Sequence, residues 1–228
     1  MTLLELKSML SLNNIEVDDD SLRLLEKYMF YILEKNEHIN LTAIKDVDSY
    51  MSLMIFDSAL PLRLLDFNDK KVLDIGTGAG YPGTVLATLS TAHVDLLDST
   101  KKKLDVIKNY PDQDFNVINI RAEDYAQSHR EEYDVVVARA VSDLPIILEL
   151  GIPFLKVGGY LVAMKGKDAE EEIKRSKNAL KKLNAIIEKM DKVILPTGET
   201  RINILIKKLD KTNEKYPRNY NIIKNKPL

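Results

Sequence analysis

The stretch 71–83, K-V-L-D-I-G-T-G-A-G-Y-P-G, constrains this chain more than any other. A short apolar run, Val72 to Ile75, carries Asp74 and ends in three glycines at alternate positions, Gly76, Gly78 and Gly80. Strand, glycine-rich turn and helix, in that order, form the phosphate- or nucleoside-binding start of a doubly wound α/β domain. Glycine is required where the main chain turns with positive φ and where a ligand must reach the backbone without meeting a Cβ. The expected ligand site is therefore the carboxyl end of the first strand.

The rest of the chain agrees with such a domain. Apolar runs at 72–75, 94–98, 116–120, 133–138, 160–165, 192–195 and 202–208 predict seven strands. Helices are expected at 101–109, at 144–155 with Pro145 in its first turn, and at 169–187, rich in lysine and glutamate. This alternation implies a largely parallel sheet covered on both faces, and the last two strands, joined without a long helix, imply an antiparallel end. Upstream, 3–12, 22–33 and 49–60 read as helices, with 36–42 a loop and Pro61 closing the third. In the second, Leu22, Leu25, Met29, Ile32 and Leu33 form an apolar stripe, and Asp20 or Ser21 offers an N-cap. The fold class is thus α/β, a seven-stranded Rossmann-like sheet. Residues 1–66 are a helical extension packed on a domain of residues 67–228.

Composition narrows the chemistry. The chain has 228 residues and no cysteine, which removes disulfides, thiolate metal sites and any cysteine nucleophile. His38, His93 and His129 are scattered without ligand spacing, so no metal is expected. The amino terminus, M-T-L-L-E-L-K-S-M-L, does not read as a signal peptide, and no run of 18 apolar residues exists. A cytoplasmic protein, monomeric by default, is the expectation. Net charge is only −2, but from Lys207 onward seven lysines and arginines face only Asp210 and Glu214. Such a face can take phosphates, or be a solvated tail.

The ligand is chosen by register. Gly78-Ala-Gly80-Tyr-Pro-Gly83 matches the dinucleotide pattern G-x-G-x-x-G, but the first glycine after the strand is Gly76, two residues early. Pro82 also lacks an N–H where a pyrophosphate would look for donors. Asp74 followed by G-x-G-x-G instead resembles motif I of S-adenosylmethionine (SAM)-dependent methyltransferases. Asp98 ends the second strand 22 residues beyond Gly76, where a carboxylate can accept from both hydroxyls of a ribose. Glu123, with the N–H of Ala122, is placed to read an adenine edge.

The fourth strand ends in V-V-V-A-R-A-V-S, so Arg139 stands where the catalytic group of such enzymes emerges. No N/D/S-P-P-Y/F tetrad for amino-group methylation is present there, and C5 methylation of cytosine needs a cysteine. An acceptor with a lone pair already available, such as guanine N7, needs neither device, and catalysis becomes positioning. Arg139 can hold the cofactor or donate to guanine; its structural alternative is an ion pair with Asp74 or Glu123.

With these residues in view the sequence resembles the RsmG (GidB) family of 16S ribosomal RNA guanine-N7 methyltransferases. The matching stretches are 40–44 (N-L-T-A-I), Asp57-Ser58, the glycine turn, Asp98-Ser99 with Lys102-Lys103, Arg121-Ala-Glu123, Ala138-Arg-Ala-Val141, Lys165-Gly166 and Lys215-Tyr-Pro-Arg218. The resemblance implies SAM as methyl donor. It implies 16S rRNA, in the small ribosomal subunit or an assembly intermediate, as substrate. It places cofactor contacts at Gly76, Gly78, Gly80, Tyr81, Asp98, Ser99, Thr100, Ala122, Glu123 and Arg139, with Arg139 also catalytic. Asn40, Thr42, Lys165 and Arg218 would meet the RNA; as turn residues or solvated side chains they have bland readings too. One departure is Met54, where the family usually has histidine. The alternatives are a methyltransferase of another acceptor (tRNA, protein or small molecule), a non-catalytic RNA-binding relative and, more remotely, an NAD oxidoreductase.

Overall fold

The computed structural model of the chain describes residues 1–113 and 115–228. Its centre is a seven-stranded sheet in the order β3-β2-β1-β4-β5-β7-β6. The strands are β1 (Lys71–Ile75), β2 (His93–Asp98), β3 (Asn116–Asn119), β4 (Tyr133–Arg139), β5 (Leu155–Lys165), β6 (Ala185–Ile194) and β7 (Thr200–Lys208). The first five run parallel, while β7 lies antiparallel to both β5 and β6. The expected antiparallel end is therefore present. Strand order reverses between β1 and β4, whose carboxyl ends lie side by side with Ile75 opposite Ala138. A crevice opens at such a reversal.

The extension begins with α1 (Leu3–Leu12), started by a capping box in which Thr2 and Glu5 satisfy each other's backbone N–H groups. In α2 (Asp19–Asn36) the cap is Asp18, which accepts from Ser21 N–H at 2.6 Å, two residues before the position expected from the sequence. The third helix is longer and less regular than expected. It runs through α3 (Val47–Tyr50), a π-helical segment Met51–Phe56, α4 (Asp57–Ala59) and a 3₁₀ turn Leu60–Arg63 that absorbs Pro61. The widened segment is a device common at functional sites.

Between the strands lie α5 (Gly83–Leu89), α6 (Lys101–Lys108), α7 (Ala122–Tyr125), α8 (Leu144–Gly151), α9 (Ala169–Arg175) and α10 (Lys177–Lys182); α11 (Tyr220–Asn225) follows the sheet. Two expectations fail here. The helix foreseen to 187 stops at Lys182, because Asn184 takes a left-handed conformation (φ 53°), and Ala185 opens β6, much longer than the predicted 192–195. β5 starts at Leu155 rather than Tyr160, so Gly158 and Gly159 lie inside a strand; a Cβ on Gly159 would press on the Asp134 carbonyl at 2.8 Å.

Apolar side chains form one cluster on each face of the sheet. On one face Leu6, Leu25, Met29, Phe56 and Leu60 of the extension share a continuous core with Val72, Val135 and Leu205 of the sheet and Val85 of α5. The extension is thus glued on by a common hydrophobic core, the dominant favourable term in such packing.

Candidate active site

The glycine turn is built by Asp74. Its fully buried carboxylate accepts from Thr77 Oγ1 at 2.7 Å and from Gly83 N–H at 2.8 Å, fastening both ends of the turn to β1. The other oxygen, Oδ1, has no hydrogen-bond partner among the described residues. Burial pushes this carboxyl up to about 6, against the pull of the Thr77 and Gly83 hydrogen bonds. Gly76, Gly78 and Gly80 all have positive φ, as their residue type requires. Their surroundings differ. A Cβ on Gly78 would meet nothing nearer than 3.9 Å, whereas one on Gly80 would strike Tyr28 Oη at 2.5 Å. Gly78 therefore faces open space, and Gly80 packs inward on α2.

Beside the turn, Asp98 at the end of β2 accepts from Gly78 N–H (3.0 Å) and Thr100 N–H (2.7 Å), which fixes its orientation. Two cavities flank Gly76. The smaller, of about 280 Å³, is lined by Asp98, Ser99, Ala122, Glu123 and Tyr220 among others. The larger, of about 500 Å³, is lined by Gly76, Gly78, Tyr81 and Arg139 on the sheet side and by Thr42, Leu53, Met54 and Asp57 on the extension side.

Arg139 leaves the end of β4 immediately before Ala140, a non-glycine residue at φ 55°. Its guanidinium donates to the Leu53 carbonyl at 2.8 Å and to Met54 Sδ at 3.2 Å, and lies 3.5 Å from Asp57. It also sits over the Tyr81 ring, 5.7 Å from the centroid. The arginine's structural alternative, an ion pair with Asp74 or Glu123, gives way to one with Asp57, because the π-helical segment and the start of α4 bring the Leu53 carbonyl, the Met54 thioether and the Asp57 carboxylate against the strand end. Met54, standing where histidine was expected, thus supplies a soft acceptor to the arginine.

The four residues assigned to RNA separate. Thr42 lines the larger cavity, its Oγ1 accepting from Ile44 N–H at 3.1 Å in a tight turn, while Asn40 is exposed and outside the lining. Lys165 reaches the cavity but is buried and tied to Glu172 (2.7 Å) and the Ser142 carbonyl (2.6 Å). Arg218 lies elsewhere, forked onto fully buried Glu149 at 2.7 and 2.6 Å, where it pins the chain before α11 to α8. Arg201 was missed, and Asp57 was noted only within the Asp57-Ser58 stretch, without a role. Asp57 and Arg201 form an ion pair at 3.0 Å on the cavity wall. The signal for Arg201 was its place, with Asn203, as a polar residue alternating with apolar ones in a buried strand.

A seven-stranded sheet of this order, with a glycine turn after β1 and an acidic residue ending β2, is the architecture of class I SAM-dependent methyltransferases. Solved structures agree on the fold. The chain superposes with a TM-score of 0.56 on 1,6-didemethyltoxoflavin-N1-methyltransferase of Burkholderia thailandensis, solved with that compound and S-adenosylhomocysteine (13% identity; 81% of this chain, 90% of that one). It superposes at 0.54 on a ribosomal-protein methylase of Lactobacillus delbrueckii subsp. bulgaricus (15% identity; 69% and 79%). Residues 21–200 match the family GidB, rRNA small subunit methyltransferase G, and the chain belongs to that family. Similar proteins include ribosomal RNA small subunit methyltransferase G of Fusobacterium nucleatum, 42% identical with 94% of each chain covered, and that of Streptococcus gordonii, 35% identical over the full length of both.

Proposed function

We propose that this chain transfers a methyl group from SAM to N7 of one guanine in 16S rRNA, acting on the small ribosomal subunit or an assembly intermediate. The observation that carries the reading is the pair of cavities meeting at Gly76, one walled by strand-end acids and the other by Arg139, in a chain of the GidB family.

SAM fits the residues present. The open space over Gly78 admits a ligand against the backbone. Asp98, with one bond to each oxygen, retains acceptor capacity for two ribose hydroxyls, and Glu123 and Ala122 line the same cavity for an adenine edge. When bound, the cofactor supplies an electrophilic sulfonium methyl. Gly76, Gly78, Tyr81, Asp98, Ser99, Ala122, Glu123 and Arg139 are the assigned contacts, with Gly80 and Thr100 shaping the turn and the Asp98 carboxylate behind them.

Guanine N7 carries its lone pair ready for attack, so no side chain has to take a proton; the residues' work is to hold the base in line with the methyl. Arg139, fixed by three contacts from the extension, is the catalytic positioning group at that point. Residues 1–66 act in this reading as part of the methyltransferase unit 67–228, since they furnish one wall of the cavity. Among the described residues no helix is long and apolar enough to cross a membrane. A cytoplasmic monomer is proposed.

The test is labelled transfer from SAM to small subunits of cells lacking the gene, followed by digestion of the rRNA to nucleosides. A single labelled 7-methylguanosine is expected, and Arg139→Ala should abolish it. Tight SAM binding without label in rRNA would reject the substrate, and normal turnover of Arg139→Ala would remove the arginine from the mechanism.

A further inference from the structure

We propose that Asp57 selects the base: its unshared carboxylate oxygen, Oδ1, accepts from the N1–H and 2-amino group of the target guanine and so rejects adenine. The inference rests on the reading of the larger cavity as a guanine-N7 site.

The reacting atom cannot choose between purines, because adenine and guanine both carry a lone pair at N7. They differ on the six-membered ring. Guanine presents an acceptor at position 6 and donors at positions 1 and 2; adenine presents a donor at 6, an acceptor at 1 and a bare C–H at 2. A site that tells them apart needs a donor facing position 6 and, next to it, an acceptor facing positions 1 and 2. A carboxylate is the side chain that only accepts, and a guanidinium the one that only donates.

The cavity wall holds that pair. Asp57 Oδ2 is taken by Arg201 Nε at 3.0 Å, with Arg139 Nη1 at 3.5 Å. Arg139 spends its shorter bond on the Leu53 carbonyl, and the Nη groups of Arg201 have no protein hydrogen bond among the described residues. Asp57 Oδ1 has no partner among the described residues either, although the side chain is 1% exposed. A buried charged acceptor without a donor is costly and calls for an explanation; a ligand that brings two adjacent N–H groups supplies one. The other carboxylate of the cavity, Glu172, binds Lys165 Nζ at 2.7 Å and Leu144 N–H at 2.6 Å through Oε2, and its Oε1 is not among the buried oxygens left without a partner. Asp57 is also well fixed: it sits in α4, directly after the π-helical segment, and its second oxygen is anchored by a strand 144 residues away.

The experiment uses the full chain and two small-subunit particles assembled on 16S rRNA, carrying guanosine or inosine at the methylated nucleotide located by labelling. Inosine keeps O6, N7 and N1–H and lacks only the 2-amino group. Wild type should favour guanosine over inosine in kcat/KM by about tenfold or more, the discrimination one good base contact gives. In Asp57→Asn the arginines can bond only to the amide oxygen, which turns Nδ2–H toward the base. Transfer to guanosine should then fall, and the guanosine-to-inosine ratio should drop to about twofold or less for loss of that contact, while SAM affinity by calorimetry stays at the wild-type value. Equal wild-type rates on the two particles would overturn the assignment, even if the variant did not fold. A variant that retains the wild-type ratio would overturn it too. No transfer to the guanosine particle would instead sink the underlying methylation reading, and this assignment with it.

Discussion

Replacing Asp74 by asparagine probes the foundation of the glycine turn. The carboxylate is fully buried, and burial lifts its pKa from 3.8 to about 6. In the unfolded chain the same group ionises near its ordinary value. Between these limits the folded state binds a proton that the unfolded state has released, so stability contributed by the neutral acid is full below about pH 4 and is lost as pH rises to about 6. The gap corresponds to about 3 kcal/mol. Asparagine keeps an acceptor for Thr77 Oγ1 and Gly83 N–H and puts an uncharged group where Oδ1 has no partner. Taking Asp74→Asn as reference cancels the titration of every other carboxyl. The melting temperature of wild type relative to the variant should fall by about 6–12 °C between pH 4 and pH 6.5, for a chain of this size, and stay level above that. The assay is thermal unfolding by circular dichroism across that range in matched buffers. A difference that is flat, or that rises with pH, would refute the argument that desolvation governs this carboxyl.

Other substitutions separate structural from catalytic roles. Arg218→Ala leaves Glu149 charged and fully buried without its fork, which should destabilise the fold by about 3–5 kcal/mol yet leave SAM affinity of the folded protein unchanged in calorimetry. Unaltered melting with lost methyl transfer would instead return Arg218 to the RNA-binding set. Gly83→Ala would drive a Cβ into Leu96 Cδ2 and to within 2.8 Å of Asp74 Oδ2, so a loss of about 1–3 kcal/mol in urea unfolding is expected. A neutral result would mean that α5 can move away from β1 without cost.

The sequence revealed what repeats along a strand and concealed what depends on partners far away. β1, β2 and β4 were legible because apolar runs end in glycine, aspartate or arginine, and the site lies at those ends. β6 was not. Its Glu188, Lys189 and Met190 suit a helix, and only the antiparallel ladder with β7 holds them extended. The left-handed Asn184 was the readable stop. The same limit hid part of the site. Asp57 stood out only in a stretch shared with the family and Arg201 not at all, and the π-helical segment that carries Leu53 and Met54 to Arg139 has no pattern of its own. Lys165 and Arg218, assigned to RNA from the sequence, are held by carboxylates buried beside them, Glu172 and Glu149, which lie far away in the chain and left no local trace.

The extension's attachment to the far end of the sheet also sets an order of events during synthesis. Arg63 pairs with Asp191 at 2.7 Å and Asp57 with Arg201 at 3.0 Å, so the last helical stretch of the extension finds these polar partners only in the last two strands. At a ribosome's pace, the interval between them is about 6–30 s. Through that time Arg63 and Asp57 wait for their partners, while α2 already has α5 to pack on. A nascent chain halted before β7 would therefore hold the extension by apolar packing without the Asp57–Arg201 pair, and that pair should close only once residue 201 clears the exit tunnel.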